Sequence, residues 1–302
     1  MSVKYPAEHI IIRPPVEAYS LLIAVTGGCS WNKCKFCGTY KGMYGPTQDY
    51  AIRSLEDVKK DIDQAATYNY HGFPVFLAGG NPTSAPTEYL VKIIKYIRIK
   101  LKNVQRVSCY SKALDILRKT DQELENLAQA GLDIVYMGLE SGSNTVLRLM
   151  KKGTTSESFI KAGKRLLKSG IKLSLYIILG LGGHKYSEDH VKETARVLTE
   201  INPTIFRFRT LNVSPSTPLW EDVKSGEFTL LSPVENLKEE RDIITNLGDN
   251  VTSQVFNDHV SNYCSIESSN IKIDREMFIK TLDFYLNDPR IKQMPRKNLT
   301  RM

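Results

Sequence analysis

From about residue 20 the chain alternates short runs rich in β-branched and aromatic residues with stretches whose apolar positions recur every three or four residues. SLLIAVTGG (20–28), FPVFLAGG (73–80), RVSCYS (106–111), IVYMGLES (134–141), KLSLYIILGLGG (172–183) and TIFRFRTLNV (204–213) predict strands. Between them, Leu90, Ile93, Ile94, Ile97 and Leu101 mark one apolar helical face, and Phe159, Ala162, Leu166 and Leu167 mark another. Thr120 predicts an N-cap with Glu123 as its capping-box partner, and Gly131 and Gly170 predict helix ends. Six strand-then-helix units predict an α/β fold whose parallel strands are covered by helices. After residue 214 the pattern loosens into a helix near 234–247, an irregular segment and a last helix near 274–287, which predicts a mostly helical C-terminal extension. The expected division is an N-terminal extension (1–19), a core (20–213), a closing extension (214–288) and a basic tail (289–302).

With 302 residues, 41% hydrophobic and 25% charged, the chain has the composition of a globular protein that buries a core without staples. MSVKYPAEHIIIRPP lacks an apolar leader, and SLLIAV and LYIILGL are too short to span a bilayer. The expectation is a cytoplasmic protein with no membrane partner, whose cysteines are reduced and available to metal or chemistry. The net charge of +8 raises the question of nucleic acid. Arg290, Lys292, Arg296, Lys297 and Arg301 crowd the last fourteen residues, and without them 36 basic residues face 33 acidic ones. The excess therefore reads as a solvated tail, with an RNA-contacting arm as the less favoured reading.

The chemistry concentrates in GGCSWNKCKFCGTYKG (27–42), which holds three of the five cysteines: Cys29, Cys34 and Cys37. This loop, GGNP (79–82), Glu140 and GLGG (180–183) all follow predicted strands, at the carboxyl ends where parallel α/β barrels build active sites. Three thiolates in one loop can each hold an iron of a cubane and leave one iron open to a small chelating molecule. A structural zinc would need a fourth ligand, and Cys109 and Cys264 are isolated in sequence. A catalytic zinc with three cysteines and a water is the rival reading, and a redox pair of Cys34 and Cys37 leaves Cys29 unexplained.

The loop, with Phe36 just before its last cysteine, resembles the signature of the radical S-adenosylmethionine (SAM) superfamily. Four residues separate Cys29 from Cys34 where that superfamily most often has three, and IIRPP, CKFCGTYKG, FLAGGN, YMGLESG and SPSTPL resemble a subgroup with the longer spacing. The core is similar to that of oxygen-independent coproporphyrinogen oxidases. The resemblance implies a partial (β/α)6 TIM-type barrel, a [4Fe-4S] cluster on Cys29, Cys34 and Cys37, and SAM as second cofactor. It implies that Phe36 contacts adenine, that the Gly79, Gly80 and Asn81 backbone receives the SAM amino group, and that Glu140 and Lys152 face SAM. The ribose contacts would fall to Tyr110 and Tyr176, with Ser108 and Ser174 nearby, and GLGG would form an adenine-side turn. Each also has a plainer reading: Phe36 as loop packing, AGGNP as a turn, Lys152 as a solvated helical lysine, the tyrosines as ordinary strand residues.

The activity so implied is reductive cleavage of SAM to a 5′-deoxyadenosyl radical that abstracts hydrogen from a small or medium organic substrate, with a one-electron donor such as flavodoxin or ferredoxin. An RNA-modifying enzyme and a zinc or iron–sulfur protein without catalysis are the alternatives. Arg207 and Arg209 alternate with Phe206 and Phe208, so both arginines share a face. Facing inward they would bind a carboxylate or phosphate; facing outward, the favoured expectation, they are surface charges. His259, Tyr263 and Cys264 in NDHVSNYCS read either as proton or hydrogen-atom donors on a lid or as residues of a closing segment, and Cys109 reads as a buried strand residue.

Overall fold

The β-rich runs form strands shorter than their apolar extent. In the computed structural model, which describes residues 10–68 and 72–296, the first run yields β1 (Leu21–Ala24). Thr26–Gly27 then turns away to pair antiparallel with Ala51–Ile52. The chain forms two compact units, neither continuous in sequence. One gathers the chain up to Asn32, Cys37–Met137 and Lys161–Leu173; the other takes Lys33–Phe36, Gly138–Ile160 and the chain from Ser174 onward.

In the first unit β1, α1 (Leu55–Thr67), β2 (Val75–Ala78), α2 (Thr87–Lys100), β3 (Val107–Ser111), α3 (Asp121–Ala130) and the start of β4 (Ile134–Glu140) follow one another. The four strands pair in parallel in chain order, with Leu21 opposite Val75, Val75 opposite Val107 and Ser108 opposite Ile134. Every residue of β2 is buried, as a parallel strand covered on both faces requires. Leu90, Ile93, Ile94 and Ile97 of α2 are buried as the periodicity predicts. The capping box on α3 is present: Glu123 N–H donates to Thr120 Oγ1 at 3.1 Å, and Thr120 N–H to Glu123 Oε2 at 2.7 Å. Gly131 takes the left-handed conformation that ends the helix (φ +101°).

A feature the sequence reading passed over lies at the amino ends of these strands. Glu17, in the turn before β1, is completely buried. It accepts hydrogen bonds from Arg106 Nε (3.2 Å) and Nη2 (2.8 Å), Ser108 Oγ (2.9 Å) and Tyr136 Oη (2.6 Å), and from the Ser20 hydroxyl. Burial alone would raise its pKa, but the hydrogen bonds from Arg106, Ser20 and Tyr136 outweigh that and hold the carboxyl below its usual range. Its stabilising contribution is therefore present at neutral pH and is lost as pH falls through the depressed value. Glu17→Gln is expected to destabilise the fold by about 2–3 kcal/mol in chemical denaturation at neutral pH, with the gap closing on acidification below the ordinary carboxylate range.

The second unit holds the end of β4, then β5 (Lys172–Leu179), which begins in the first unit, while α4 (Ser156–Lys168) runs from the second unit into the first. α5 (Gly183–Ile201), β6 (Ile205–Thr210), α6 (Pro218–Ser225), α7 (Pro233–Thr245), β7 (Gln254–Phe256), β8 (Glu267–Ser268) and α8 (Ile271–Asn287) complete it. β5, β6 and β7 are parallel, with Tyr176 opposite Arg207 and Arg207 opposite Phe256; β8 is antiparallel to β7. Three- and two-residue strands carry too little alternation to be read, so β7 and β8 lay hidden in the segment expected to be irregular. The expected solvated tail begins as a helix, Pro289–Gln293, with Ile291 buried and Arg290 Nη2 on Asp288 Oδ2 at 2.6 Å. Lys297 and Arg301 lie outside the described residues. Among the described residues no helix is long and apolar enough to cross a membrane.

α7 buries two successive carboxyls. Glu239 accepts from Gly180 N–H and Ser187 Oγ at 2.6 Å each, and Glu240 accepts from Asn257 Nδ2 at 2.8 and 2.6 Å. Burial pushes Glu239 up to about 7 and Glu240 up to about 8. Both fold as the protonated form, so their contribution is complete at acid pH and is lost as pH rises toward 8. Wild-type stability is expected to fall by up to about 1.4 kcal/mol per pH unit for each such group in this window, and Glu240→Gln should make the slope shallower in denaturation curves recorded across it.

Candidate functional site

In the first unit the cysteine loop is fixed from the second strand's end. Gly80 N–H donates to Gly28 O at 3.0 Å, and a Cβ on Gly80 would stand 2.8 Å from Cys29 Cα. A Cβ on Gly79 (φ +130°) would stand 2.1 Å from Thr26 Oγ1. Two glycines are thus needed for the turn to reach the loop at all. Asn81, fully buried, completes the attachment. Its Oδ1 accepts Ser30 N–H at 3.0 Å, and its Nδ2 donates to Ser30 Oγ at 2.9 Å and Asp115 Oδ2 at 2.7 Å. Lys112 Nζ also donates to Ser30 Oγ at 2.7 Å. Burial raises the Asp115 carboxyl, against the opposing pull of Asn81 and Lys112. Asp115 and the Asn81 side chain are parts of the site that the motif reading did not include.

The three loop cysteines are each partly exposed. Tyr40, just beyond them, is buried with a hydroxyl that has no hydrogen-bond partner, and its pKa is driven upward by burial and by the charges of Cys29 and Cys37. Among the described residues no three His, Cys, Asp or Glu side chains converge closely enough to hold a single metal ion. Cys29 and Cys37, whose charges act on the buried Tyr40 hydroxyl, and Cys34 are soft thiolate donors of the kind that a sulfur-ligated iron cluster takes.

In the second unit, Lys33–Phe36 is held by Lys35 N–H on Met150 O and Leu219 N–H on Lys35 O, both 3.0 Å. Phe36 packs against the apolar cluster of Val146, Met150, Leu181 and Leu219, which is its plainer reading. Lys152 Nζ also lies 5.8 Å from its ring centroid. Lys152 follows a short helix, Asn144–Leu149, and is neither helical nor solvated as its plainer reading had it. Its side chain is 15% exposed and its Nζ donates to Glu140 Oε1 at 2.8 Å. Glu140 itself holds φ +65°, sparsely populated for a residue with a side chain. Its carboxylate folds back over Gly138, where a Cβ would meet Oε1 at 1.8 Å. Phe36, Glu140 and Lys152 are therefore brought together, and Gly138 is the unpredicted residue that makes room.

Other candidates are placed differently. Ser108 is completely buried and donates to Glu17, so it is corrected from a ribose contact to a structural residue. Tyr110 is half-buried, edge-on to Phe76 at 5.1 Å and to Tyr136 at 6.3 Å. Ser174 is buried with no hydrogen-bond partner for its Oγ, and Tyr176 is half-buried with the Arg209 guanidinium 5.0 Å from its ring centroid. Gly180 N–H is engaged by Glu239. Cys109 is buried and its thiol is pushed up to about 12, an inert strand residue. His259 Nδ1 lies 2.8 Å from Ser261 Oγ, Asn257 Nδ2 lies 3.1 Å from Cys264 Sγ, and Tyr263 is buried. The arginines overturn the favoured expectation: Arg207 is 4% exposed and Arg209 is half-buried, so neither is a surface charge.

The model of the Radical SAM superfamily matches residues 23–198, more than half of the chain, and the chain belongs to that superfamily. It is an enzyme of the radical SAM class, with a [4Fe-4S] cluster and SAM as its cofactors. It is 29% identical over 178 residues to the uncharacterized protein MJ0486 of Methanocaldococcus jannaschii, 58% of this chain. It is 25% identical over 233 residues to the tRNA-2-methylthio-N(6)-dimethylallyladenosine synthase of Campylobacter hominis, 72% of this chain. Coproporphyrinogen III oxidase (HemN) from Escherichia coli superposes on 75% of the chain with a TM-score of 0.54 at 18% identity, a likeness of fold. The chain spans about half the length of these proteins: 54%, 52% and 51%. The α/β fold is the partial TIM-type barrel of this superfamily.

Removing the Asn81 side chain leaves Asp115 and Ser30 without their shared partner. Asn81→Ala is expected to cost about 2–3 kcal/mol in denaturation and to lower the iron and sulfide retained after anaerobic reconstitution, whereas iron retention equal to wild type would show that the loop does not depend on it.

Proposed function

We propose that the chain reductively cleaves SAM and uses the product to take a hydrogen atom from a small or medium organic substrate. The observation that carries this reading is three partly exposed cysteines in one loop, the first of them fixed by Asn81 and the Gly79–Gly80 turn. When bound, the cluster and SAM supply a one-electron cleavage of the sulfonium that yields the 5′-deoxyadenosyl radical.

The chain's own contribution is placement. Cys29, Cys34 and Cys37 would hold the cluster. Lys152, shielded from water and already bound to a carboxylate, has the charge and setting to receive the carboxylate of SAM, with Glu140 releasing it or accepting a hydroxyl. Phe36 would offer a face to adenine, the Gly79–Asn81 turn would border the amino group, and Tyr110 and Tyr176 would meet ribose hydroxyls. His259, Tyr263 and Cys264 serve this reading as a closing segment, since Ser261 Oγ accepts Thr210 N–H at 3.1 Å and Asn262 Nδ2 donates to Phe208 O at 3.0 Å. A flavodoxin- or ferredoxin-type donor in a cytoplasmic, oxygen-poor setting would supply the electron.

An RNA substrate is the second reading, favoured by the likeness to a tRNA-modifying enzyme. Anaerobically reconstituted protein, reduced with dithionite and given SAM, is expected to form 5′-deoxyadenosine, and Cys34→Ala should reduce it to background. A fully loaded cluster that forms none would overturn the reading. With cell extract split into small-molecule and RNA fractions in deuterated form, deuterium should enter 5′-deoxyadenosine from the small-molecule fraction; transfer from the RNA fraction alone would favour the second reading.

A further inference from the structure

β6 and its neighbours present two faces of opposite character. Leu175, Ile177, Phe206 and Phe208 are completely buried on one. The other carries Ser174 and Tyr176 on β5, Arg207 and Arg209 on β6, and Phe256 on β7, with Tyr176, Arg207 and Phe256 in one lateral row. Arg207 lies with its guanidinium carbon 4.1 Å from the Phe256 ring centroid, and Arg209 lies over Tyr176 and donates from Nη1 to Phe208 O at 2.9 Å. Stacking fixes both guanidinium groups while leaving their in-plane donors to other uses.

What meets the donors of Arg207 is a poor match. Arg207 uses Nη1 alone toward both Asp258 oxygens, at 3.3 Å each, and its buried Nε has no hydrogen-bond partner. Arg209 Nη1 stands 3.8 Å from Asp258 Oδ1. Arg207, largely buried, thus leans through one nitrogen on a carboxylate that is itself 39% exposed, and its fork, which pairs two-to-two with a carboxylate or phosphate, is not engaged. A structural ion pair kept from water ordinarily satisfies its donors, because an unmade hydrogen bond in the interior is costly.

We infer that Arg207 and Arg209 form the recognition site for a carboxylate or phosphate group of the substrate, and that Asp258 occupies the pair until that anion displaces it. The inference rests on the radical SAM reading for what is then done to the substrate, but binding itself needs no SAM cleavage. The anion belongs to a small molecule, because Arg207 is 4% exposed, whereas a polynucleotide backbone is met by exposed basic surface.

The test is calorimetric titration of the anaerobically reconstituted protein with inorganic phosphate, with succinate and with a short single-stranded oligouridylate at physiological salt. One of the two small anions is expected to bind saturably in the millimolar range. Arg207→Lys, which keeps the charge but loses the fork, should weaken it roughly tenfold or more, and Asp258→Asn should tighten it. Phosphate binding without succinate binding marks a phosphorylated substrate, and the reverse a carboxylate. Absence of saturable binding by both, or equal affinity in wild type and Asp258→Asn, overturns the inference even where wild-type 5′-deoxyadenosine formation persists. Oligouridylate binding that exceeds both small anions and falls steeply with salt overturns the small-molecule assignment. Should Arg207→Lys fail to fold, the comparison of wild type with Asp258→Asn decides alone.

Discussion

The Asn81 side chain is the contact on which the cysteine loop depends. A fully buried amide must have its donors and acceptor met, and here Ser30 and Asp115 meet them. Because Ser30 directly follows Cys29, satisfying Asn81 also fixes the backbone of the first thiol. The two preceding glycines let the turn come close enough for that bond to form. A thiolate that must present one soft donor to a bulky group needs a backbone that does not drift, and the hydrogen bonds supply this from outside the loop.

The second unit solves a related problem with strain. Glu140 holds a left-handed backbone conformation that folds its carboxylate over Gly138 and onto Lys152. The conformation persists because the pair is shielded and Gly138 has no side chain to obstruct it. Glu140, at the carboxyl end of β4, is thus held against Lys152. The contrast with Glu17 at the amino ends is physical. Five hydrogen bonds from four residues saturate that carboxylate, leaving it nothing to offer a ligand, and it acts as a structural plug.

Much of this was legible residue by residue. The strand and helix sequence, the capping box at Thr120 and Glu123, the buried Cys109 and the cysteine spacing all express patterns a few residues long. Ser108 was misread because a serine beside a tyrosine on a strand has the chemistry of a ribose contact, while its actual partner, Glu17, lies 91 residues away. Lys152 and the two arginines were open between solvent and interior because charge alone favours the surface; Glu140, Asp258 and two aromatic rings make the interior tolerable. β7 and β8 are too short to leave a period.

The sequence by itself determined the order of elements, the end of the strands at which the chemistry collects, and the three thiols that define the class of enzyme. These follow from local rules: side-chain period, capping and the spacing of donors along the chain. Only the tertiary structure decided which polar groups are free for a ligand and which are already engaged. That depends on desolvation and on partners such as Tyr136 for Glu17, 119 residues distant, whose meeting no local pattern records.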